Sequence, residues 1–587
     1  MSSGEAFLGV GQSLTGRRWI GLDPAADRMS LRIVQETGLP EPVARVLTLA
    51  GVPPENAGDY LNPKIRDLLA DPSRLLDADR AAERLIVALR DRQRVAILAD
   101  YDVDGAASAA QLIEWFRHFD LEPGFHVPDR ARDGFGPSEA IMRELSRNHD
   151  LIICVDCGTH AHEAISAAGS VDVLVIDHHL GGEVLPPAAA VVNPNRQDES
   201  GGFQHLCAAA VVFMVLVAAN RLLRESPKTG PDLFEMLDLV ALATIADVSP
   251  LLGVNRAFVR SGLRVLARRR RAGLAELADV ARINSPLTSY HLGYVLGPRI
   301  NAAGRIGRSS LGLRLLSART RAEARTIAEE LEALNEVRRK LTDEITEEAI
   351  STATDRGLEK PLFWAAAEGW HPGIVGLAAG RLSATTNRPA VVIGFDGDLG
   401  KGSGRSVPGI DLGHAVLTCL NEGLLVRGGG HRMAVGLTVT RDKLFPAMDR
   451  LGELLERQGA GQVGPSDLMV TAAMEPGAAS IDLVEQLESA GPFGPSAPAP
   501  RLAFPRVTAR YLKPVGQSRN HLMMTLQGES RGSRVRAMAF RAFDGPLGQA
   551  FLDHSDRLFH VAGRLEISDW NGRNVRLIVD DAALANT

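Results

Sequence analysis

Three near-continuous apolar runs, Val95–Ala99, Leu151–Val155 and Val171–Ile176, stand out in the first half of the chain. Helix-like stretches separate them, and the amphipathic stretch Asp79–Leu89 precedes the first. Strand and helix in alternation predict a parallel α/β sheet, because parallel strands need crossover helices. The most apolar stretch, Leu206–Val217, is too short to span a bilayer and predicts a buried helix. From Arg321 to Thr354 a polar stretch keeps apolar residues near helical spacing and contains no Pro or Gly. It predicts one long helix joining two lobes, with no clean heptad stripe that would make it a coiled coil. A second α/β lobe follows from Pro361 to about Arg457, with the runs Leu362–Ala366 and Ala390–Ile393. Gln458–Ser466 and Gly491–Pro500 read as breaks. Beyond them lie the short β-like runs Arg506–Leu512, Leu522–Leu526, Arg534–Phe540, Phe559–Ile567 and Asn574–Val579. Five such runs within about eighty residues predict a small barrel of OB-like size.

Composition narrows the picture without changing it. The chain has 587 residues, 45% of them hydrophobic and 23% charged. That is material for roughly four globular domains, and it excludes a disordered, collagen-like or rod-like protein. The formal net charge is -6, so nucleic-acid contact has to come from local basic patches. Four cysteines exclude a disulfide scaffold and fit a reducing compartment. The N-terminal stretch has no long apolar region of signal-peptide type, so the expectation is a cytoplasmic protein with no membrane partner.

The chemistry gathers where the first-lobe runs end. Val95–Ala99 leads into Asp100-Tyr101-Asp102-Val103-Asp104-Gly105, Leu151–Val155 into Asp156-Cys157-Gly158, and Val171–Ile176 into Asp177-His178-His179. In a parallel sheet the carboxyl ends of strands share one edge, and ligands bind there. Carboxylates crowded at that edge repel one another unless a cation neutralises them. An oxygen-rich set with a few imidazoles suits Mn²⁺ or Mg²⁺ better than structural zinc. Asp247, at the end of the apolar segment Leu239–Val248, is a fourth candidate that on its own reads as a helix-end residue. Asp100-x-Asp102-x-Asp104 copies the opening of an EF-hand loop, but Gln111 stands where that loop needs Glu. Cys154 and Cys157 with His160 and His162 have zinc-like spacing, yet Cys154 lies inside an apolar strand and reads as core. Arg268-Arg269-Arg270-Arg271 is either a solvated basic face or a phosphate contact. In the second lobe, Lys401–Ser406 and Arg427–Arg432 combine glycines with cations. They read as two loops that bring backbone N–H groups and charge to a phosphate.

The motifs Asp102-Val-Asp104-Gly105, Asp156-Cys-Gly158 and Asp177-His178-His179 resemble those of the DHH phosphoesterase superfamily. Gly428-Gly429-Gly430-His431 resembles the signature of the DHH-associated domain. Gly297-Pro-Arg299-Ile-Asn301-Ala-Ala-Gly304-Arg305, Trp370-His371-Pro-Gly373-Ile-Val-Gly376, Gly402-Ser-Gly-Arg405-Ser406-Val-Pro-Gly and Ser568-Asp-Trp570-Asn571-Gly572 narrow the resemblance to the RecJ single-stranded-DNA-specific exonucleases. It extends from about Ala96 to Asp580.

That resemblance implies an α/β, two-lobed DHH core with a C-terminal OB-like barrel. The expected domains are an N-terminal region (1–78), a DHH catalytic domain (79–320), a connector helix (321–354), a DHH-associated domain (355–460), a linker (461–500) and an OB-like nucleic-acid-binding domain (501–587). The implied activity is 5′→3′ hydrolysis of single-stranded DNA in repair and recombination, with two Mn²⁺ or Mg²⁺ ions activating water. By motif match Asp102 and Asp104 would each hold one ion, Asp156 would bridge both, and His178 and Asp247 would complete the coordination of the second ion. His179 would sit on the scissile phosphate and Asp177 would orient the neighbouring His. Many superfamily members carry a His four residues before the first ligating Asp; here the position is Leu98, and water or Asp100 would fill that place. Arg299, Asn301, Arg305, His371, Ser403, Arg405, Ser406, Gly429, Gly430 and His431 would grip DNA on the two sides of an inter-lobe groove. Trp570, with Tyr511, Phe540 and Phe543, would offer stacking faces in the barrel. The segment around Phe493-Gly494 lacks the Gly-Asn pair of the family pattern. The expected partner is single-stranded DNA, with a single-strand-binding protein or helicase as candidate protein partners. Two other readings are a DHH phosphodiesterase acting on short oligonucleotides or cyclic dinucleotides, and a scaffold that has lost its chemistry; the retained ligand set argues against the second.

Overall fold

The computed structural model describes residues 5–129, 134, 136–225, 229–357, 360–461, 467–516, 518–530, 532–568 and 572–585. The chain divides into two compact units: residues 63–341 with 492–497, and residues 1–62, 342–491 and 498–587.

The first unit is built on an all-parallel five-stranded sheet. Its order is Gly124–His126, Val95–Ala99, Leu151–Val155, Asp172–Ile176, Ala190–Val192. The apolar runs are continuous because both faces of the sheet are covered. Ile97, Ile153 and Leu174 join one core with the helices Ala78–Arg90, Val103–Arg117 and Ala208–Leu222. Leu98, Ile152, Cys154 and Val175 face the other way, into a smaller core with Ile141, Met142 and Ile165. The predicted buried helix is therefore Ala208–Leu222, eleven of whose residues are buried. Asp238 is also buried in this unit and pairs with the half-buried Arg271 at 2.6 Å.

The long helix runs unbroken from Arg321 to Asp355, and the unit boundary falls within it. In the second unit a five-stranded sheet has the order Arg427–His431, Ala434–Thr440, Leu399–Arg405, Ala390–Asp396, Phe363–Glu368, antiparallel except for the last pair. The two glycine-rich segments expected as loops are thus strands. The reason is packing: a Cβ on Gly402 would come within 2.9 Å of Ile393 and Leu437, and one on Gly404 within 2.8 Å of Val435 and Leu412. Glycine fills the core-facing positions, and Lys401, Ser403 and Arg405 alternate onto the other face.

The barrel closes five strands, with Leu502–Val515 pairing both His521–Gln527 and Phe559–Ser568. Chain-distant residues support it. Trp19 is fully buried and its Nε1 donates to Asp581 Oδ2 at 2.9 Å, while Thr15 Oγ1 donates to Asp581 Oδ1 at 2.9 Å. A buried carboxylate needs such donors, and the N-terminal segment supplies them.

The stretch 461–500, expected as a linker, is structured along much of its described length. Leu468–Met469 pairs with Trp19–Ile20, Ala472–Ala473 pairs with Leu502–Ala503, and Ile481–Ser489 is a helix. Pro492–Ala497 belongs to the first unit, where the Pro492, Phe493 and Pro495 carbonyls accept from Arg256, Ser289 and Leu251. Gly and Pro mark turns here, but buried Leu468, Val470, Val484 and Leu487 anchor the segment. Among the described residues no helix is long and apolar enough to cross a membrane.

Candidate metal centre

At the carboxyl edge of the parallel sheet the ladder continues one residue past each strand. The Asp100 N–H donates to Val155 O, Asp156 to Ile176 O and Asp177 to Val192 O, at 2.9–3.3 Å. That pairing places the acidic residue after each strand on one rim. Asp156 takes a left-handed conformation there, φ 59°, which is strained for a residue with a side chain and occurs where the surroundings over-determine it. Gly105 lets the next turn close, since a Cβ would fall 2.4 Å from the Asp100 carbonyl oxygen. Asp102 caps the helix Val103–Arg117, accepting from Asp104 N and Gly105 N. Both Asp104 oxygens accept from the first N–H groups of the helix Ala208–Leu222, at 2.7 and 2.8 Å.

Three sets of side chains have ligand atoms within 4.8 Å of one another: Asp100/Asp102/Asp156, Asp156/His178/His179 and Asp104/His178/Asp247. Asp156 and His178 each belong to two sets, so the sets form one continuous cluster. His178 Nε2 lies 3.3 Å from Asp156 Oδ1 and 3.6 Å from Asp104 Oδ2, and its Nδ1 is 3.9 Å from Asp247 Oδ2.

The electrostatics are those of a site built around a cation. Asp104 and Asp156 are 1% and 3% exposed. Burial pushes the Asp104 carboxyl up to about 7, with the nearby Asp247 and Asp102 adding to the rise against an opposing pull from His178. Burial raises Asp156 well above the carboxylate range, and the neighbouring acids raise it further. Asp247 is raised in the same way. Asp156 Oδ1 is shut off from solvent and accepts no hydrogen bond. A buried oxygen that accepts no hydrogen bond, among carboxyls raised by burial and then by crowding, fits a hard divalent ion with oxygen ligands.

Asp177 behaves differently. Its Oδ1 accepts from His178 N, His179 N and His179 Nδ1, and its Oδ2 from Thr159 N and Oγ1. Although burial works against it, those hydrogen bonds, first of all from His179, hold the Asp177 carboxyl far below the usual range. The same bond raises His179 to about 9, so its imidazolium persists at neutral pH. Asn193 Nδ2 donates to Thr159 Oγ1 and His179 O, and Asn195 Nδ2 donates to His178 O. Thr159, Asn193 and Asn195 were not anticipated. The signal was present, because Ala190–Val192 is a further strand ending on the same rim.

The expected DNA contacts divide. Asn301 Oδ1 accepts from Val103 N at 3.0 Å, so this side chain holds the Asp102–Asp104 turn. Arg299 is ion-paired with Glu332 and donates to Val295 O. Arg305 stands in the same helix, Gly297–Ile306, whose Gly304 leaves room for the Tyr101 ring. In the second unit a Cβ on Gly376 would lie 3.3 Å from Ser403 Oγ and 3.5 Å from Arg405 Nη2, at the start of the helix Val375–Thr386. These groups form one polar cluster. His371 Nδ1 accepts from Gly373 N. The Ser406 hydroxyl is engaged by Ile410 O. Gly430 (φ 139°) is required by its turn, since a Cβ would fall 2.4 Å from Ala434 O, while Gly429 faces open space and His431 is exposed. Trp570 lies outside the described residues. The four consecutive arginines are largely solvent-facing but each is ion-paired. Arg268 and Arg270 pair with Glu235, Arg269 with Asp279, and Arg271 with Asp238 and Glu114. Cys154 and Cys157 stay in the core and join none of the clusters.

A parallel sheet whose rim gathers DVDG, DCG and DHH segments defines a DHH-type phosphoesterase. Models of the DHH family N-terminal domain, the DHHA1 domain and the RecJ OB domain match residues 94–244, 359–457 and 470–581. The single-stranded-DNA-specific exonuclease RecJ of Escherichia coli is 32% identical over 528 residues, covering 86% of this chain and 90% of that protein. The crystal structure of RecJ with Mn²⁺ from Thermus thermophilus superposes with a TM-score of 0.78 at 26% identity, covering 97% of this chain and 80% of that one. The structure of the same protein with Mg²⁺ gives a TM-score of 0.72. The chain belongs to the RecJ family of single-stranded-DNA-specific exonucleases.

Proposed function

We propose that this protein degrades single-stranded DNA from its 5′ end with divalent metal ions held at the sheet rim. The observation that carries the reading is the convergence of Asp102, Asp104, Asp156, His178 and Asp247 at one edge, in a chain of the RecJ family. Asp102 and Asp104 would each hold one ion, Asp156 both, and His178 with Asp247 would complete the coordination of the second ion. Asp100 lies close enough to Asp102 and Asp156 to stand in where Leu98 offers no ligand. Bound Mn²⁺ or Mg²⁺ supplies charge neutralisation at the phosphodiester and acidifies the attacking water. His179, protonated through Asp177, donates its free Nε2–H to a phosphate oxygen. Asp177 is a positioning residue, and so is Asn301. Ser403 and Arg405, beside a helix start, bind backbone phosphate.

The barrel takes the strand further along. Tyr511 is 85% exposed and Phe540 is exposed with His521 edge-on, both suited to stacking on bases. The working domains under this reading are the catalytic unit at 63–341, the DHH-associated domain near 360–457, and a barrel domain that includes the N-terminal segment. A cytoplasmic location, and a helicase or single-strand-binding protein that supplies single strands, accompany it. The test is a single strand labelled at either end and incubated with Mn²⁺, Mg²⁺ or chelator. Release of the 5′ label first, only with metal, is expected; release of the 3′ label first, or turnover of dinucleotides alone, contradicts it.

A further inference from the structure

One surface feature of the catalytic unit is not used by the metal centre. Tyr290 and Tyr294 stack on each other, ring centroids 5.2 Å apart and planes 26° from parallel. They are 60% and 74% exposed. The chain has only five tyrosines and 5% aromatic residues, so two stacked and solvent-facing tyrosines are not spare core material. Their (i, i+4) spacing puts both on one helix face, while Leu292 and Leu296 bury the opposite face.

The backbone beneath them is unusual. His291–Leu296 is a π-turn that runs directly into the helix Gly297–Ile306. Pro298 has no N–H, so the Tyr294 carbonyl four residues earlier lacks its ordinary helical donor. Single π-turns of this kind concentrate at functional sites. This one is fixed to the metal centre on two sides. A Cβ on Gly293 would lie 3.1 Å from Ile245, and one on Gly297 3.5 Å from Ala246, so the turn rests on the end of the helix that delivers Asp247. Seven residues after Tyr294, roughly 10 Å along the helix axis, Asn301 holds the Val103 N–H between Asp102 and Asp104.

We infer that Tyr290 and Tyr294 form a stacking platform for unpaired nucleobases of the strand being digested, inside the catalytic unit and separate from the barrel. The inference rests on the proposed nuclease reading and adds to it a contact that selects single strands. The stack leaves the outer face of each exposed ring open, so an unpaired base whose own faces are free can add to it. A base in a duplex is already stacked on both sides and cannot use it. Because stacking accepts any base, the platform favours single strands without choosing a sequence.

The test compares the full-length protein with Tyr290→Ala/Tyr294→Ala and with Tyr290→Phe/Tyr294→Phe. Substrates are a long single strand, the same strand with an abasic site moved one position at a time, and a dinucleotide. The alanine pair should raise KM on the long strand about tenfold, the loss expected for roughly one stacked base. Its kcat and its dinucleotide turnover should stay unchanged, and the phenylalanine pair should remain within about twofold of wild type. In wild type, an abasic site at one or two positions should raise KM similarly, and the alanine pair should be insensitive at those positions. Equal KM values, or equal abasic profiles in wild type and the alanine pair, overturn the platform. A wild-type protein inert on DNA with Mn²⁺ instead defeats the nuclease reading. The platform is then judged by 2-aminopurine fluorescence in bound strands: quenching in wild type but not in the alanine pair upholds it, and equal fluorescence overturns it.

Discussion

Two places where this chain gathers charge are built on opposite terms. At the sheet rim, Asp104, Asp156 and Asp247 are crowded together and raised above their ordinary pKa, first by burial and then by neighbouring acids. At Arg268–Arg271, four cations sit in a row, yet each has an acidic partner within 3.3 Å. The first cluster is incomplete without a cation; the second is complete within the protein. Clustered charge therefore marks a ligand site only where the fold withholds the counter-charge.

The sharpest way to break that contrast is Asp156→Asn. It removes a carboxylate central to the cluster, and turnover with Mn²⁺ should fall by roughly 10³-fold or more, in line with several kcal/mol of charge stabilisation. The same variant in chelator should melt no lower than wild type, because the asparagine relieves the repulsion. A steady-state assay paired with calorimetry reads both.

Arg271→Ala tests the other side. Removing Arg271 leaves the buried Asp238 without its cation and should cost about 3–5 kcal/mol, whereas Arg268→Ala or Arg270→Ala, in exposed pairs, should each cost about 1 kcal/mol or less. Urea unfolding checks the ranking, and equal effects would refute it.

Next comes pH. In metal-stripped protein the Asp104 carboxyl, at about 7, lies above its unfolded value. Its contribution to stability is full below about pH 4 and is lost as pH rises toward and through 7. The stabilisation gained on adding Mn²⁺ should therefore grow between pH 5 and 7.5, by about a few kcal/mol at most, and is read as a larger rise in melting temperature. A gain that stays flat over that range contradicts the raised carboxyl.

A modest effect is expected at Arg405→Ala. KM for single-stranded DNA should rise about tenfold with kcat held, and the salt dependence of binding should lose about one phosphate contact. An unchanged salt slope would place Arg405 off the DNA.

Much of the fold was legible because the strands Val95–Ala99 and Leu151–Val155 are buried on both faces and so read as unbroken apolar runs. The rim acids were legible for a related reason, since each follows such a run. The support of Asp177 was not, because Thr159, Asn193 and Asn195 are ordinary polar residues until tertiary pairing brings them together. The strands Leu399–Arg405 and Arg427–His431 hid behind their glycines, which remove the alternation that reveals a strand. The ion pair of Arg299 with Glu332 was not legible either, because the two lie 33 residues apart in sequence. Trp19 gave no sign of supporting a barrel at the far end of the chain, since its acceptor Asp581 is 562 positions away.

The most direct test of the central claim is to count Mn²⁺ ions by electron paramagnetic resonance in wild type and in Asp156→Asn. Two ions per chain with an exchange-coupled signal, lost in the variant, is the expected result. A variant that binds Mn²⁺ with wild-type stoichiometry and coupling would show that the buried acids at the sheet rim are not the metal centre.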